Sequence, residues 1–417
     1  MRTVGVIVEY NPLHNGHVYH FQQSKIVSKA DAAIAVMSGH FLQRGEPAIV
    51  DKWSRTEMAL AMGADLVLEL PVAYSSQPAE WFAYGAVSAL DATGVVNALC
   101  FGSESGSLDV LQQLARRMHA EAGPFREHIR LALKRGVSYP KAYGAAVGAF
   151  LAEHHPDLRE QTSDEELAQP NNTLGLHYLM ALERLRSPIE PMTVHRVKAG
   201  YSQHDISDAA IASATAIRKL LFADHNLDAA RPYMPETTYR ILRREWEAGR
   251  APIGWESFGL PLMTVLMRES AERLADAAEV AEGLENRIKQ ALPQIDYRRD
   301  DWFEQLLGQV KTKRYTRTKL QRTLLRLLLG HRKEDLTPSA LSRGVPYLRV
   351  LGFSATGREL LKRMRKTARV PVVTKVTRAR DPMLDMDIRA TGLYALGYTK
   401  TSSEDLFRDY YQAPIQL

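Results

Sequence analysis

Short, uninterrupted apolar runs alternate with stretches of helical spacing along the first hundred residues. VGVIV (4–8), AAIAVM (32–37), ADLVLELP (64–71) and VVNALCFGS (95–103) are apolar at successive positions rather than at every second one. That is the pattern of strands covered on both faces, and so of a parallel sheet. Between them, residues from about Gly16 to Ser28, WSRTEMALAMG (53–63) and PAEWFAYGAVSALDATG (78–94) carry apolar residues at helical intervals, with Gly63 as a helix stop and Pro71 as a strand stop. Repeated strand–helix units predict a doubly wound α/β domain whose ligand lies at the carboxyl ends of the strands.

Further along, the period changes. Residues 108–166 read as polar helix, MTVHRVKAGY (192–201) as a strand, and ASATAIRKLL (212–221) opens a helix. Helical periods dominate 236–329, with TVLMRESAERLADAAEVAEGLENRIKQAL (264–292) dividing near Gly283. YLRVLGF (347–353), GRELLKRMRKTA (357–368) and VPVVTKV (370–376) form a short terminal β-α-β unit. We therefore expect a catalytic α/β domain over 1–225 and a mainly helical domain over 226–417, within the two or three domains that 417 residues suggest.

Composition excludes several classes. No run approaches the length of a membrane span, and MRTVGVIVEY enters a strand at once, without the layout of a signal peptide. A cytoplasmic location is the expectation. Cys100 is the only cysteine, which rules out an intrachain disulfide and a cysteine-based zinc site; within NALCFG it reads as a buried strand residue. The net charge is only +6, but residues 311–380 hold 20 Lys or Arg against 3 Asp or Glu, a segment charge of +17, while the rest carries 34 basic and 45 acidic residues, or −11. Such asymmetry points to a polyanion held by one region. In KTKRYTRTKLQRTLLRLLLG (311–330), Leu320, Leu324, Leu327 and Leu328 mark one apolar face. Lys313, Arg314, Arg317, Lys319 and Arg322 remain for nucleic acid, with Tyr315 among them and the charged face expected in solvent.

The chemistry sits at the first strand's end, in EYNPLHNGHVYH (9–20). His14, His17 and His20 admit three readings: metal ligands, phosphate donors, or polar filler at a helix start. Spaced at i, i+3 and i+6, they do not readily meet one tetrahedral ion from a regular helix, and no carboxylate or cysteine completes a set nearby. A Pro-containing turn with Gly16 leading into a helix places backbone N–H groups and a positive dipole end at the top of the sheet, which favours an anion. SATAIRK offers a second anion site: Ser213 and Thr215 suit a helix N-terminus, and Arg218 follows one turn on.

This pair of motifs resembles the H-x-G-H nucleotidyltransferase superfamily, whose second signature is S-T-x-I-R; here it reads Ser213-Ala214-Thr215-Ala216-Ile217-Arg218, with Ala214 where serine is common. Together with VMSGHFLQRGEPAIVDKWSRTEMAL, FGSESG, QPNNTLGLHY and HRVKAGY, the chain looks like the bacterial tRNA(Met) cytidine acetate ligase family. The resemblance implies a HIGH-type, Rossmann-like domain followed by a basic, mainly helical tRNA-binding region. It implies ATP-dependent formation of acetyl-adenylate from acetate, then acetyl transfer to the wobble cytidine of elongator tRNA(Met), giving N4-acetylcytidine. By that similarity ATP is held by Ile7, Val8, Glu9, Tyr10, Asn11, Pro12, Leu13, His14, Asn15, Gly16, His17, Val18, Tyr19 and His20, helped by Gly102, Asn171, Arg196, Ser213, Thr215 and Arg218. His14, His17 and Arg218 are the catalytic candidates, and Mg2+ is expected to accompany ATP with few direct protein ligands. The loop SGHFLQRGEP (38–47) is a candidate wall for acetate, through His40 and Arg44. Two rivals remain: a small-molecule adenylyltransferase of the coenzyme A or nicotinamide type, and a non-catalytic RNA-binding protein on a nucleotide-binding fold.

Overall fold

Among the described residues eight strands form one sheet: β1 (Thr3–Val8), β2 (Ala32–Ser38), β3 (Leu66–Leu70), β4 (Ala98–Ser103), β5 (Glu190–His195), β6 (Leu348–Phe353), β7 (Val372–Val373) and β8 (Ile415–Gln416). Their order is β5–β4–β1–β2–β3–β6–β7, with β8 beside β6. The structure is a computed structural model that describes every residue except 105–106, 121, 135–138, 161–162, 164–166, 168, 196–211, 313–314 and 379. β1 to β5 pair in parallel, as the continuous apolar runs of β1 to β4 predict.

Strand alternation sorts side chains between two cores. Ala32, Ile34 and Val36 of β2, with Leu66, Leu68 and Leu70 of β3, join the cluster under one face; Ala33, Ala35 and Met37, with Val67, join the other. Five helices cover the faces near the site: α1 (Asn15–Ser28), α2 (Lys52–Met62), α3 (Ala79–Ala92), α4 (Pro170–Leu185) and α5 (Ala214–Phe222). Phe21 of α1, Met58 of α2 and Ile217 of α5 pack on the second face, while Phe82 of α3 and Leu176 and Leu179 of α4 pack on the first. Gly63 ends α2 with φ +117°, as its position suggests. Cys100 is buried in β4, and burial pushes its thiol up to about 11.

The terminal β-α-β unit does not stand apart. β6 pairs antiparallel with β3, shifting register between Val67 and Leu68, and carries β7 and β8 along its other edge. The stretch 264–292 breaks at Gly283, which has φ +79°, but also earlier: helices run Gly259–Arg268, Ala271–Ala275 and Leu284–Ala291. Ser270 makes the extra break by capping the second helix, its hydroxyl accepting from Arg273 N–H. The helix Pro382–Ala395 and strand β8 had no counterpart in the sequence reading. Among the described residues, no helix is long and apolar enough to cross a membrane.

A buried ionic cluster locks the chain's last residues to this sheet. Lys52 Nζ donates to both Glu69 oxygens at 2.9 Å and to both Asp409 oxygens at 3.2 and 3.1 Å, and Arg349 reaches Asp409 at 3.3 Å. Burial alone would lower the Lys52 pKa, but the carboxylates of Asp409 and Glu69 outweigh it and hold it above the ordinary value. Removing the cation leaves two buried carboxylates facing each other. Lys52→Met is therefore expected to lower the unfolding free energy by about 3–5 kcal/mol, read from the urea midpoint. An unchanged midpoint would show that the cluster is dispensable.

A second prediction concerns pH. His177 on α4 is buried against Tyr143, with ring centroids 5.1 Å apart, and burial lowers its pKa from 6.5 to about 4. The folded state thus prefers the neutral ring. Its contribution is intact above the unfolded value of 6.5 and is lost as pH falls from there to about 4. His177→Gln should flatten the fall in urea midpoint over that window by up to about 1.4 kcal/mol per pH unit.

Candidate active site

A cavity of about 310 Å3 opens at the carboxyl ends of β1, β4 and β5, where a parallel sheet is expected to bind its ligand. The N-termini of α1, α4 and α5 point into the same region. Separate stretches of chain meet there, each held by its own hydrogen bonds.

The first is the turn after β1. Buried Arg55 ties the ends of β1 and β2 together, donating to the carbonyls of Glu9 at 2.7 Å, Ser38 at 3.0 Å and Val50 at 3.1 Å, and also to that of Gly39. Asn11 Oδ1 accepts from Ile49 N–H at 2.7 Å. His14 then caps α1: its Nδ1 accepts from Gly16 N–H at 3.1 Å, and His17 Nδ1 accepts from His14 N–H at 3.3 Å. This is a capping box built from two imidazoles. Because each Nδ1 accepts, the ring proton lies on Nε2 in both residues. The rings stack with centroids 3.7 Å apart, and buried Tyr10, itself at φ +49°, packs T-shaped against His17 with centroids 5.1 Å apart. The result is a fixed pair of N–H donors beside a positive helix end.

The second stretch is the start of α5. Ser213 caps it, accepting from Ala216 N–H at 3.1 Å. Arg218, one turn on, donates to the Asn11 carbonyl at 3.1 Å and to Thr215 Oγ1 at 3.4 Å. Residues more than two hundred positions apart thereby share one cavity.

The third stretch joins the end of β4 to α4. Asn172 Oδ1 accepts from Ser103 Oγ at 2.7 Å and Glu104 N–H at 3.0 Å, while the Glu104 carboxylate accepts from the N–H groups of Asn171 at 3.2 Å and Asn172 at 2.9 Å. Glu104 is a positioning residue that the sequence reading passed over, although its place directly after β4 was a signal.

Of the predicted nucleotide residues, Ile7, Val8, Glu9, Tyr10, Asn11, His14, Gly16, His17, Tyr19, His20, Gly102, Asn171, Ser213, Thr215 and Arg218 line the cavity. Pro12, Leu13, Asn15 and Val18 are not in that lining. Leu13 is fully buried in the core, and Asn15 donates from Nδ2 to the Pro232 carbonyl at 3.0 Å. Arg196 lies outside the described residues. The sequence reading also missed Phe82, Phe101, Leu174 and Tyr178, apolar wall residues with no motif to mark them.

The loop after β2 contributes Leu42, Gln43, Arg44 and Glu46. Glu9 anchors it, its carboxylate accepting from Gln43 N–H at 2.7 Å and Ser38 Oγ at 3.3 Å; burial pushes the Glu9 carboxyl above the ordinary range. His40 corrects an expectation. It does not face the cavity but packs beneath it, 4.4 Å from Tyr394 and 5.5 Å from Trp53 between ring centroids, and burial holds its pKa well below the usual value. An imidazole kept neutral among Lys52, Arg55 and Arg408 is a packing group here.

The basic helix α6 (Arg317–Leu329) abuts this same loop. Gln321 Nε2 donates to Glu46 at 3.3 Å, and Gly45, at φ +75°, lies so close to α6 that a Cβ there would meet the Arg322 backbone nitrogen at 2.5 Å. Arg322 is a second correction: rather than facing solvent it is buried, with Nε 3.1 Å from both Glu279 oxygens. Arg317 is exposed and pairs with Glu304 at 2.6 Å, and Lys319 Nζ lies 4.7 Å above the Tyr315 ring. Both acidic partners come from upstream of the basic run, where counting charges along it cannot find them. Lys313 and Arg314 lie outside the described residues.

With this geometry established, comparison with known proteins is specific. The HIGH Nucleotidyl Transferase family model matches residues 1–409. The curated tRNA(Met) cytidine acetate ligase of Lysinibacillus sphaericus is 41% identical over 421 residues, covering 100% of both chains, and that of Acetivibrio thermocellus is 38% identical over 423 residues, covering 99% of both. A crystal structure of Thermotoga maritima TmcAL bound with alpha-thio ATP superposes with a TM-score of 0.88 at 34% identity, and the apo form of that protein with 0.90 at 35%, each covering 100% of both chains. Aligned end to end with these relatives, the chain belongs to the HIGH nucleotidyl transferases and, within them, to the tRNA(Met) cytidine acetate ligase family.

Proposed function

We propose that this chain joins acetate to ATP, forming acetyl-adenylate and releasing pyrophosphate, and then acetylates the exocyclic amine of the wobble cytidine of elongator tRNA(Met). The observation that carries the reading is the meeting of two stacked imidazoles and Arg218 at one cavity. Adenylation needs no protein nucleophile: an acetate oxygen attacks the α-phosphorus as the bond to the pyrophosphate oxygen breaks. The protein's task is to align the reactants and stabilise charge. The Nε2–H groups of His14 and His17 would donate to phosphoryl oxygens, and Arg218 would meet the charge growing on pyrophosphate. In the second step the cytidine amine attacks the acetyl carbonyl, AMP leaves, and the amine's proton is released.

Mg2+ prefers oxygen ligands in an octahedron. The two imidazoles and the guanidinium are nitrogen groups, so these residues do not form a cage for it, and no step is assigned to a protein-bound ion. Any Mg2+ would be held by the triphosphate and water.

The chemistry is assigned to residues 1–225 and tRNA binding to 226–417, chiefly the basic segment 311–380. Arg317, Lys319, Lys313 and Arg314 are the proposed phosphate contacts. α6 packs on the loop that carries Gln43, Arg44 and Glu46, so RNA held along it would lie at the cavity's rim. A cytidine would have to leave its stack to enter.

The deciding assay is exchange of labelled pyrophosphate into ATP, with and without acetate, followed by transfer of labelled acetate to tRNA(Met). Exchange that ignores acetate but responds to another acceptor would instead favour a small-molecule adenylyltransferase. His17→Ala should slow exchange by about 10²–10³-fold, the usual loss of one charge-stabilising donor, while leaving tRNA affinity unchanged. Arg317→Ala combined with Lys319→Ala should weaken tRNA binding and reduce its salt slope by about two, with acetate-dependent exchange preserved. Loss of exchange in that double variant would overturn the division of labour.

A further inference from the structure

A second cluster of chemically capable side chains lies in the helical insertion between β4 and β5, outside the cavity's lining. His128 sits on the helix Ala122–Lys134, and Glu153 and His154 end the helix Tyr139–His154. One carboxylate oxygen of Glu153 lies 3.3 Å from His128 Nε2, and the other lies 3.7 Å from His154 Nε2. Donor atoms from the three residues all fall within 4.8 Å of one another, and among the described residues no other trio of His, Cys, Asp or Glu comes as close.

Those separations can be set against a metal's requirements. A tetrahedral Zn2+ with bonds of about 2.0–2.2 Å holds neighbouring ligand atoms about 3.3–3.5 Å apart. The two measured imidazole–carboxylate distances are already near that edge length. Glu153 and His154 are exposed, so both can adjust, whereas His128 is half-buried; the fully buried Phe150 lies 6.2 Å from the His128 ring and 5.2 Å from the His154 ring between centroids, a shared surface for both imidazoles. A surface ion pair accounts for one histidine beside a glutamate. It does not account for two imidazoles from different helices turning Nε2 toward one carboxylate across a shared aromatic support.

We propose that His128, Glu153 and His154 bind a divalent ion of the Zn2+ class, with water in the fourth position. Two imidazoles and one carboxylate suit Zn2+, Co2+ or Ni2+ and are poor ligands for Mg2+ or Ca2+. The ion would staple the two helices. It would also brace a wall of the cavity, because Tyr143 on the second helix packs on His177 of α4, the helix that supplies Asn171, Leu174 and Tyr178.

The test uses the full chain, stripped with a chelator and titrated with Co2+ and then Zn2+. One Co2+ per chain with intense visible absorption of tetrahedral type, displaced by one Zn2+, is expected, together with a Zn2+-dependent rise in melting temperature. His128→Ala with His154→Ala should abolish all three signals, and Glu153→Gln, at an exposed position that tolerates change, should weaken binding by at least about 10-fold. His14→Ala with His17→Ala should retain them, which separates this site from the nucleotide cavity. Circular dichroism of the metal-free variants checks that each is folded. Absence of binding by the parent chain would overturn the proposal, as would undiminished binding in the His128/His154 double variant.

Discussion

The site depends on how α1 begins. A helix start leaves backbone N–H groups without intrahelical partners, and serine or aspartate commonly answers one of them. Here His14 and His17 do so reciprocally, through Nδ1 in both cases. The cap settles the orientation of each ring, its tautomer and its distance from the other ring together. A serine in place of His14 could satisfy Gly16 N–H, yet it would present no second donor to the cavity. Stability of the helix end and orientation of the two imidazoles at the cavity are thus one arrangement.

Every other component is tied to that turn from a distance. Arg218 reaches its Asn11 carbonyl, Arg55 binds the carbonyl of Glu9, and Glu9 fixes the loop that α6 leans on. These are hydrogen bonds between buried or half-buried side chains and backbone groups, and losing those of buried Arg55 strands polar atoms away from water. The Lys52 cluster extends the logic to the last residues, joining α2 and β3 to Asp409. The far end of the chain therefore bears on the rigidity of a site made largely by its beginning.

The parts visible in the sequence were those with short periods. Continuous apolar runs located β1 to β4 to within a few residues, and the two anion motifs named nearly half of what lines the cavity. Three kinds of information were out of reach. Apolar walls such as Phe101 and Tyr178 look like any core residue. Capping by Glu104 depends on a strand and a helix that are brought together only by folding. The charge partners of Arg322 and Arg317 lie upstream, at Glu279 and Glu304, so a helix that reads as an open cationic face is partly neutralised. His40 failed for a related reason: its loop lines the cavity from Leu42 onward, whereas His40 packs beneath it against Tyr394 and Trp53.

That partial neutralisation bears on how RNA would be held. A buried pair such as Arg322–Glu279 anchors α6 against the protein and contributes little field outside it, because its charges cancel at short range. What reaches solvent comes from exposed cations in the same segment, whose pairs with carboxylates are weak and screened by salt. Phosphates can displace a surface partner such as Glu304 from Arg317 at small cost, whereas they could not extract Arg322 without unpacking the helix. The segment is thus divided between arginines that position the surface and those that can exchange partners on it, and the +17 of the linear sequence overstates the charge available to a polyanion.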